Sequence, residues 1–250
     1  MAIVKKKEKK SFLPASLGLK VLMEKTAGEC GSVRFALDSC LKSSKSCGIK
    51  HEFCKGEYIM KMLVVLGSPR KGGNGETLAG KVAEMVAQGG GTVDYIRLND
   101  LNIRPCQGCG GCEKTGNCVI KDDMTAIYQA ADAADRILLV SPVYFYGLSA
   151  QCKIFGDRMQ ARWSRKYLLH ERFRQSEGRR GYLLSTAATV GPKIFDCSLL
   201  TARYIYDAMD VEYGGELLVK GVDKRKAVLE VPDEMVRAEQ FGRDIVEGCI

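Results

Sequence analysis

From Met62 onward, short strand-like runs alternate with segments of helical periodicity, and this alternation limits the chain to very few folds. The first run, Leu63-Val64-Val65-Leu66, has no polar interruption, as a strand covered on both faces requires. Beyond a glycine-rich loop, Leu78, Val82, Met85 and Val86 fall on one helical face. Thr92 to Leu98 alternates as a strand. Asp122 and Asp123 then supply a cap and favourable charge for a helix that buries Met124, Ile127, Tyr128 and Ala131. Ile137 to Val140 reads as the next buried strand and Leu148 to Trp163 as one helix. Tyr182 to Leu184 is a strand, Cys197 to Met209 a helix, and Glu216 to Val219 the last strand. A closing helix starts near Pro232, with Met235, Ala238, Gly242 and Ile245 inward.

Strands that alternate with helices in this way make a parallel sheet covered on both sides. The expected fold is α/β, a flavodoxin-like three-layer sandwich with a five-stranded parallel sheet of order 2-1-3-4-5. Its ligand would sit at the carboxyl ends of the strands, near the switch point.

The loop after the first strand reads Gly67-Ser68-Pro69-Arg70-Lys71-Gly72-Gly73-Asn74-Gly75-Glu76-Thr77. It leads into a helix N-terminus, where free N–H groups and the helix dipole suit a phosphate. Ser68, Asn74 and Thr77 add donors, and Arg70 adds a forked cation. The Walker sequence needs Gly-Lys-Ser/Thr at its end, and the dinucleotide fingerprint needs G-x-G-x-x-G; neither is present. What remains is a monophosphate pocket of the kind flavin mononucleotide (FMN) needs. A second loop, Ser141 to Gly147, carries Pro142, Val143, Tyr144, Phe145 and Tyr146, suited to a flat ring with polar edges. Three consecutive aromatics cannot all face one core, so at least one is expected at a pocket. A third loop, Thr186 to Gly191, is small and polar and could close over the ring.

Cys106, Cys109, Cys112 and Cys118 follow the spacing C-x2-C-x2-C-x5-C. A [4Fe–4S] cube wants four thiolates this close, one for each iron. Structural zinc usually pairs two C-x2-C knuckles across a longer gap. A disulfide pair would need an oxidising compartment. Free or redox-paired thiols are a further reading.

The formal charge of +8 is concentrated in residues 1–60, which hold 12 Lys/Arg and 6 Asp/Glu. The remainder is nearly neutral, which speaks against a nucleic-acid partner. No apolar run reaches the ~20 residues that span a bilayer, and the basic start lacks a signal-peptide core, so a cytoplasmic protein is expected. Residues 1–60 read as a poorly ordered extension, with 61–250 as the domain. Met60 and Met62 stand directly before the first strand, so a natural start there is a second reading. Cys47, His51 and Cys54 could ligate a metal, although their spacing is weak evidence. His51 and His170 read as surface residues, so histidine catalysis is not expected.

From Met62 onward, about three quarters of the chain resembles the NAD(P)H-dependent FMN reductase branch of flavodoxin-like proteins, and within it the iron–sulfur flavoproteins. The likeness rests on Gly67-Ser68-Pro69-Arg70 with Asn74, and on the four cysteines. Asp122-Asp123-Met124, Ser141-Pro142-Val143-Tyr144, and Lys153 with Asp157-Arg158 also match. The resemblance implies that Ser68, Arg70 and Asn74 hold the FMN phosphate and that Pro142 to Tyr146 lie against the isoalloxazine. It implies that the four cysteines hold a [4Fe–4S] cluster, and that the protein is a homodimer or homotetramer. Gly75 departs from relatives that carry Ser or Thr there; Thr77 could replace that hydroxyl.

Two functions compete on this reading. One is an electron carrier exchanging with a ferredoxin-like protein. The other is a reductase using NAD(P)H to reduce flavin, a quinone or another small acceptor. A non-enzymatic metal-dependent binding module would require the Gly67–Thr77 loop to be empty. The basic stretch from Arg158 to Arg180 reads as a solvated face. A sharper reading gives one of its arginines the 2′-phosphate of NADPH or an acidic ferredoxin.

Overall fold

A computed structural model describes residues 59–250, the side chain of Ser176 excepted. The expectations for Cys47, His51, Cys54 and the extension lie outside the described residues. Five strands, β1 (Lys61–Leu66), β2 (Thr92–Arg97), β3 (Arg136–Pro142), β4 (Arg180–Thr186) and β5 (Glu212–Val219), form one parallel sheet. Their order is 2-1-3-4-5, as expected. Between them run α1 (Asn74–Gln88), α2 (Met124–Ala133), α3 (Ala150–Arg158), α4 (Gln160–Tyr167) and α5 (Asp196–Ala208), and α6 (Pro232–Glu247) closes the chain.

Burial follows from the composition of the strands. Val64 and Val65 of β1 are both fully buried, because successive side chains enter opposite cores. On one side Met62, Val64, Leu78, Val82, Leu138 and Ile245 pack together, under α1 and α6. On the other, Leu63, Val65, Met124, Ile127, Leu139 and Phe155 pack under α2, α3 and α5. β2 is an edge strand with most of its side chains at least partly exposed, which explains its alternation.

Three expectations are corrected. The helix read over Leu148–Trp163 is two helices that meet at Met159, whose N–H bonds Gly156 O at 3.0 Å in a tighter turn. The break lets Arg158 reach Asp122 while Arg162 reaches Asp132. β5 begins at Glu212, well before Glu216: Gly214 lies against the Tyr182 ring, so the Gly-Gly pair continues the strand rather than turning it. Capping of α2 is divided between two carboxylates. Asp122 accepts the Met124 N–H at 3.1 Å, while Asp123 turns away to accept the Asn102 N–H at 2.7 Å.

Candidate functional site

The carboxyl ends of β1, β3, β4 and β5 open onto one cavity. From the first loop it takes Ser68, Arg70, Gly73, Asn74 and Gly75; from the second, Pro142, Val143 and Tyr144. Thr186 and Ala188 of the third loop complete one wall. Buried serines hold these loops in register. Ser149 Oγ donates to Gly67 O at 2.6 Å and accepts the Cys152 N–H at 3.2 Å, joining the N-terminus of α3 to the end of β1. Ser141 Oγ accepts the Ser149 N–H at 2.9 Å, and Val143 N–H bonds Thr186 O at 2.8 Å.

At one end of the cavity, α1 starts behind Gly73 with no side-chain cap, so its first N–H groups remain available to an anion. Among the described residues, neither Arg70 nor Arg225 belongs to an ion pair; each guanidinium reaches only a backbone carbonyl, Asp223 O and Gly72 O, both at 3.4 Å. Asn74 lines the cavity, but its side chain is engaged elsewhere. It donates to Val222 O at 3.2 Å and Lys224 O at 3.0 Å, and it accepts the Val228 N–H at 3.2 Å. Thr77 is not on the cavity wall, and its hydroxyl donates back to Gly73 O at 3.1 Å. A β-carbon on Gly75 would stand 3.0 Å from Val140 Cγ1, so a hydroxyl-bearing residue there would press on the cavity wall.

At the other end, Tyr144 and Gly147 exchange both backbone hydrogen bonds at 3.0 Å around a tight turn. Phe145 and Tyr146 occupy its two central positions at φ 50° and 65°. That region is costly for bulky residues, on the order of 1–3 kcal/mol each. The core reading of the aromatics is thereby excluded: all three are exposed, Phe145 entirely. Tyr144 lines the cavity; Phe145 and Tyr146 do not.

Sequence reasoning missed a fourth contributor. Val222, Asp223 and Arg225 of the loop after β5 complete the cavity. The available signal was Gly221 followed by a charged run at a strand's carboxyl end.

A separate cavity is lined by Cys106, Cys109, Cys112 and Cys118 together, with Gln107 and Glu113 among its polar residues. Gly108, Gly110 and Gly116 turn the loop at positive φ. All four thiols are free; Cys109 is exposed and the other three are half-buried. Cys112 Sγ lies 3.4 Å from Ser164 Oγ. Among the described residues no three His, Cys, Asp or Glu side chains are drawn together as ligands of one ion. Four cysteines lining one cavity are nevertheless the type of donor that iron–sulfur ligation requires.

The model of the family described as NADPH-dependent FMN reductase matches residues 60–199, more than half of the chain. The chain belongs to this family. Two relatives named iron–sulfur flavoprotein, from Methanocaldococcus jannaschii and Methanosarcina thermophila, are 41% and 39% identical over 99 residues. Each match covers 40% of this chain and 51% or 52% of the relative, so the chain spans about half the length of these curated relatives. A Bacillus subtilis protein described as an NAD(P)H-dependent FMN-containing oxidoreductase is 26% identical over 167 residues, 65% of this chain and 86% of that protein. Among solved structures, a flavone reductase has a TM-score of 0.58 at 16% identity, covering 75% of this chain and 62% of its own. An NAD(P)H:quinone oxidoreductase from Methanothermobacter marburgensis has a TM-score of 0.55 at 13% identity, covering 75% and 98%. At such identities the likeness is one of fold.

In this FMN reductase family member the stretch from Arg158 to Arg180 is not a solvated face. Arg162 forks onto Asp132 at 3.0 and 2.6 Å, Lys166 meets Asp207 at 2.7 Å, and Arg172 meets Asp210 at 2.6 Å. Arg174 pairs with Asp135 and Glu177. Arg179 is buried against the Ala131, Ala134 and Met209 carbonyls, and burial, with Arg174 nearby, brings its pKa down to about 10. Most of the run therefore ties the segment before β4 onto α2 and α5. His170 is exposed, as expected. Among the described residues no helix is long and apolar enough to cross a membrane.

One pH dependence follows. Burial alone would raise the Asp122 carboxyl, but hydrogen bonds and charge from Arg158 outweigh it and hold the group below its ordinary value. A depressed carboxyl contributes stability that is complete above its unfolded pKa and is lost as pH falls through the folded one. Asp207 and Asp210 are shifted in the same direction. The protein should therefore lose stability from about pH 4 downward. Circular dichroism during acid titration should show a shallower loss for Asp122→Asn; an identical slope would remove Asp122 from the account.

Proposed function

We propose that the chain is an FMN-dependent oxidoreductase of the iron–sulfur flavoprotein type, passing electrons between FMN, a [4Fe–4S] cluster and a redox partner. One observation carries the flavin part: strand-end loops converge on the uncapped start of α1, beside two guanidiniums without carboxylate partners. The residues fit FMN. Arg70, Arg225 and the first N–H groups of α1 would hold the phosphate, with Ser68 beside them. Pro142, Val143, Tyr144 and Ala188 would flank the ring and shield it from water. Asn74 would act by anchoring the Val222–Val228 segment, which carries Arg225, to the phosphate loop. Cys106, Cys109, Cys112 and Cys118 would ligate the cluster.

When bound, FMN exchanges hydride or single electrons and the cluster exchanges single electrons, so the pair joins two-electron to one-electron chemistry. The protein need supply no general base. NAD(P)H is the proposed donor, and a ferredoxin-like protein or small-molecule acceptor the partner, in a cytoplasmic homodimer or homotetramer. A flavin-only NAD(P)H-dependent FMN or quinone reductase is the second reading. It is supported by the Bacillus subtilis relative, whose description names FMN without a cluster.

Reconstitution followed by FMN titration tests the flavin site. Arg70→Ala and Arg225→Ala should each weaken FMN about tenfold or more, since a hydrogen bond to a charged group contributes roughly 1.5–3 kcal/mol. Both side chains are at the surface, so thermal stability should hardly move. A protein that takes up no FMN, or variants that bind it as wild type does, would defeat this reading.

A further inference from the structure

Between Asp100 and Met124 the chain has no helix or strand, so something else must fix the cysteine loop. Local turns hold only its middle, such as Gly116 N–H to Cys112 O at 2.8 Å. Its two ends meet at one side chain. Arg158 Nη1 donates to Arg104 O at 2.8 Å and to Asp122 Oδ2 at 2.6 Å. Nη2 donates to Asp122 Oδ1 at 3.1 Å and to Ile120 O at 3.4 Å. Arg104 stands two residues before Cys106, and Ile120 two residues after Cys118. Asp122 reinforces the junction by accepting the Arg104 N–H at 3.0 Å.

The Arg158 and Asp122 side chains are 0% and 2% exposed. A buried ion pair of this kind is a poor source of net stability, because dehydration offsets most of the attraction. What it supplies is direction: the planar fork meets both carboxylate oxygens and two carbonyls through four N–H groups, whereas an ammonium has three donors and no fixed fork. Arg158 also lines the cysteine cavity, and its Nε is buried without an acceptor among the described residues.

We propose that Arg158 is the positioning residue of the cysteine loop, fixing both ends so that the four thiols face one cavity. The proposal concerns the metal-free loop. It rests on the iron–sulfur reading only for its second readout.

The test compares the whole protein with Arg158→Lys, stripped of metal by chelation. Hydrogen exchange of the amides from 106 to 119 should accelerate about tenfold or more, while amides of β1 and β3 keep wild-type rates and FMN still binds. In Arg158→Ala, millimolar guanidinium should restore loop protection where ammonium does not. A residue that only fills core volume would show no such selectivity. In the second readout, anaerobic reconstitution of Arg158→Lys should retain less than half of the wild-type iron and sulfide. If the loop loosens while wild type itself takes up no iron, the clamp stands and the cluster reading fails. Unchanged loop exchange in Arg158→Lys overturns the clamp. Should that variant lose FMN binding through misfolding, Asp122→Asn decides. A rise in exchange confined to the loop supports the clamp; no rise, or a rise across the sheet, overturns it.

Discussion

Replacing Cys109 with alanine is expected to remove iron and sulfide together and to leave FMN bound. The four cysteines line one cavity and the flavin loops another, and the two cavities share no lining residue. Cys109 is exposed, so its loss costs the apolar core little, and any large effect must come through the loop's ligand. A cube held by four thiolates loses one iron's anchor, and the whole centre becomes labile. Iron and sulfide should fall from near-stoichiometric to near-background, and the electron paramagnetic resonance signal of the reduced protein should vanish. Cys197→Ala is the control, because Cys197 is also exposed but lies on α5, outside the cysteine cavity. Electron transfer to a one-electron acceptor should drop more than direct reduction by NAD(P)H. Anaerobically prepared wild type that carries zinc or no metal would leave the flavin-only reductase as the better account.

Gly67→Ala should be the most damaging single methyl in the protein's first loop. A β-carbon there would overlap Cys152 Sγ, which is fully buried, and stand 3.1 Å from both Ser149 Oγ and Val140 O. The backbone cannot step aside easily. Gly67 N–H bonds Val140 O at 2.8 Å, and Gly67 O accepts from Ser149 Oγ. Overpacking of this kind costs roughly 1–3 kcal/mol, and the displaced loop carries Ser68 and Arg70 with it. FMN affinity should fall in parallel. Cys152 is an inert partner, its thiol pushed up to about 11 by burial, so it can be trimmed without loss of chemistry. Gly67→Ala/Cys152→Ala should then recover much of the stability measured by urea unfolding, giving a coupling of about 1 kcal/mol or more. A double variant no more stable than Gly67→Ala would show that the clash lies elsewhere.

The sheet was legible because each strand carries its own signature. Leu63 to Leu66, with no polar interruption, reads as buried on both faces, and Thr92 to Leu98 alternates as a half-covered strand does. The loops of the cavity were legible for a related reason, since ligands in such sheets gather at strand ends. Less accessible was what a polar side chain does once the chain has folded. Asn74 sits at the helix start, where its donors suggest a phosphate, yet its amide faces a loop about 150 residues away in sequence. No local pattern encodes that distance. The basic run illustrates the same limit. Its partners Asp132, Asp207 and Asp210 lie on other segments, so composition alone describes a charged surface where folding makes a network of ion pairs. Arg225 was overlooked because its loop has no motif, only a position after the last strand.

The Asn74 anchor also bears on when the flavin site can exist. Its carboxamide joins the first helix to Val222, Lys224 and Val228, across gaps of 148, 150 and 154 residues. A chain emerging from the ribosome exposes Ser68 and Arg70 about 150 residues before the wall that carries Arg225. Until then the phosphate loop has no far side, and the contact that completes it is among the longest loop closures the fold must make. Cofactor capture is thus tied to synthesis of the segment after β5: a chain stalled before it would display the glycine-rich loop yet leave the flavin in solution.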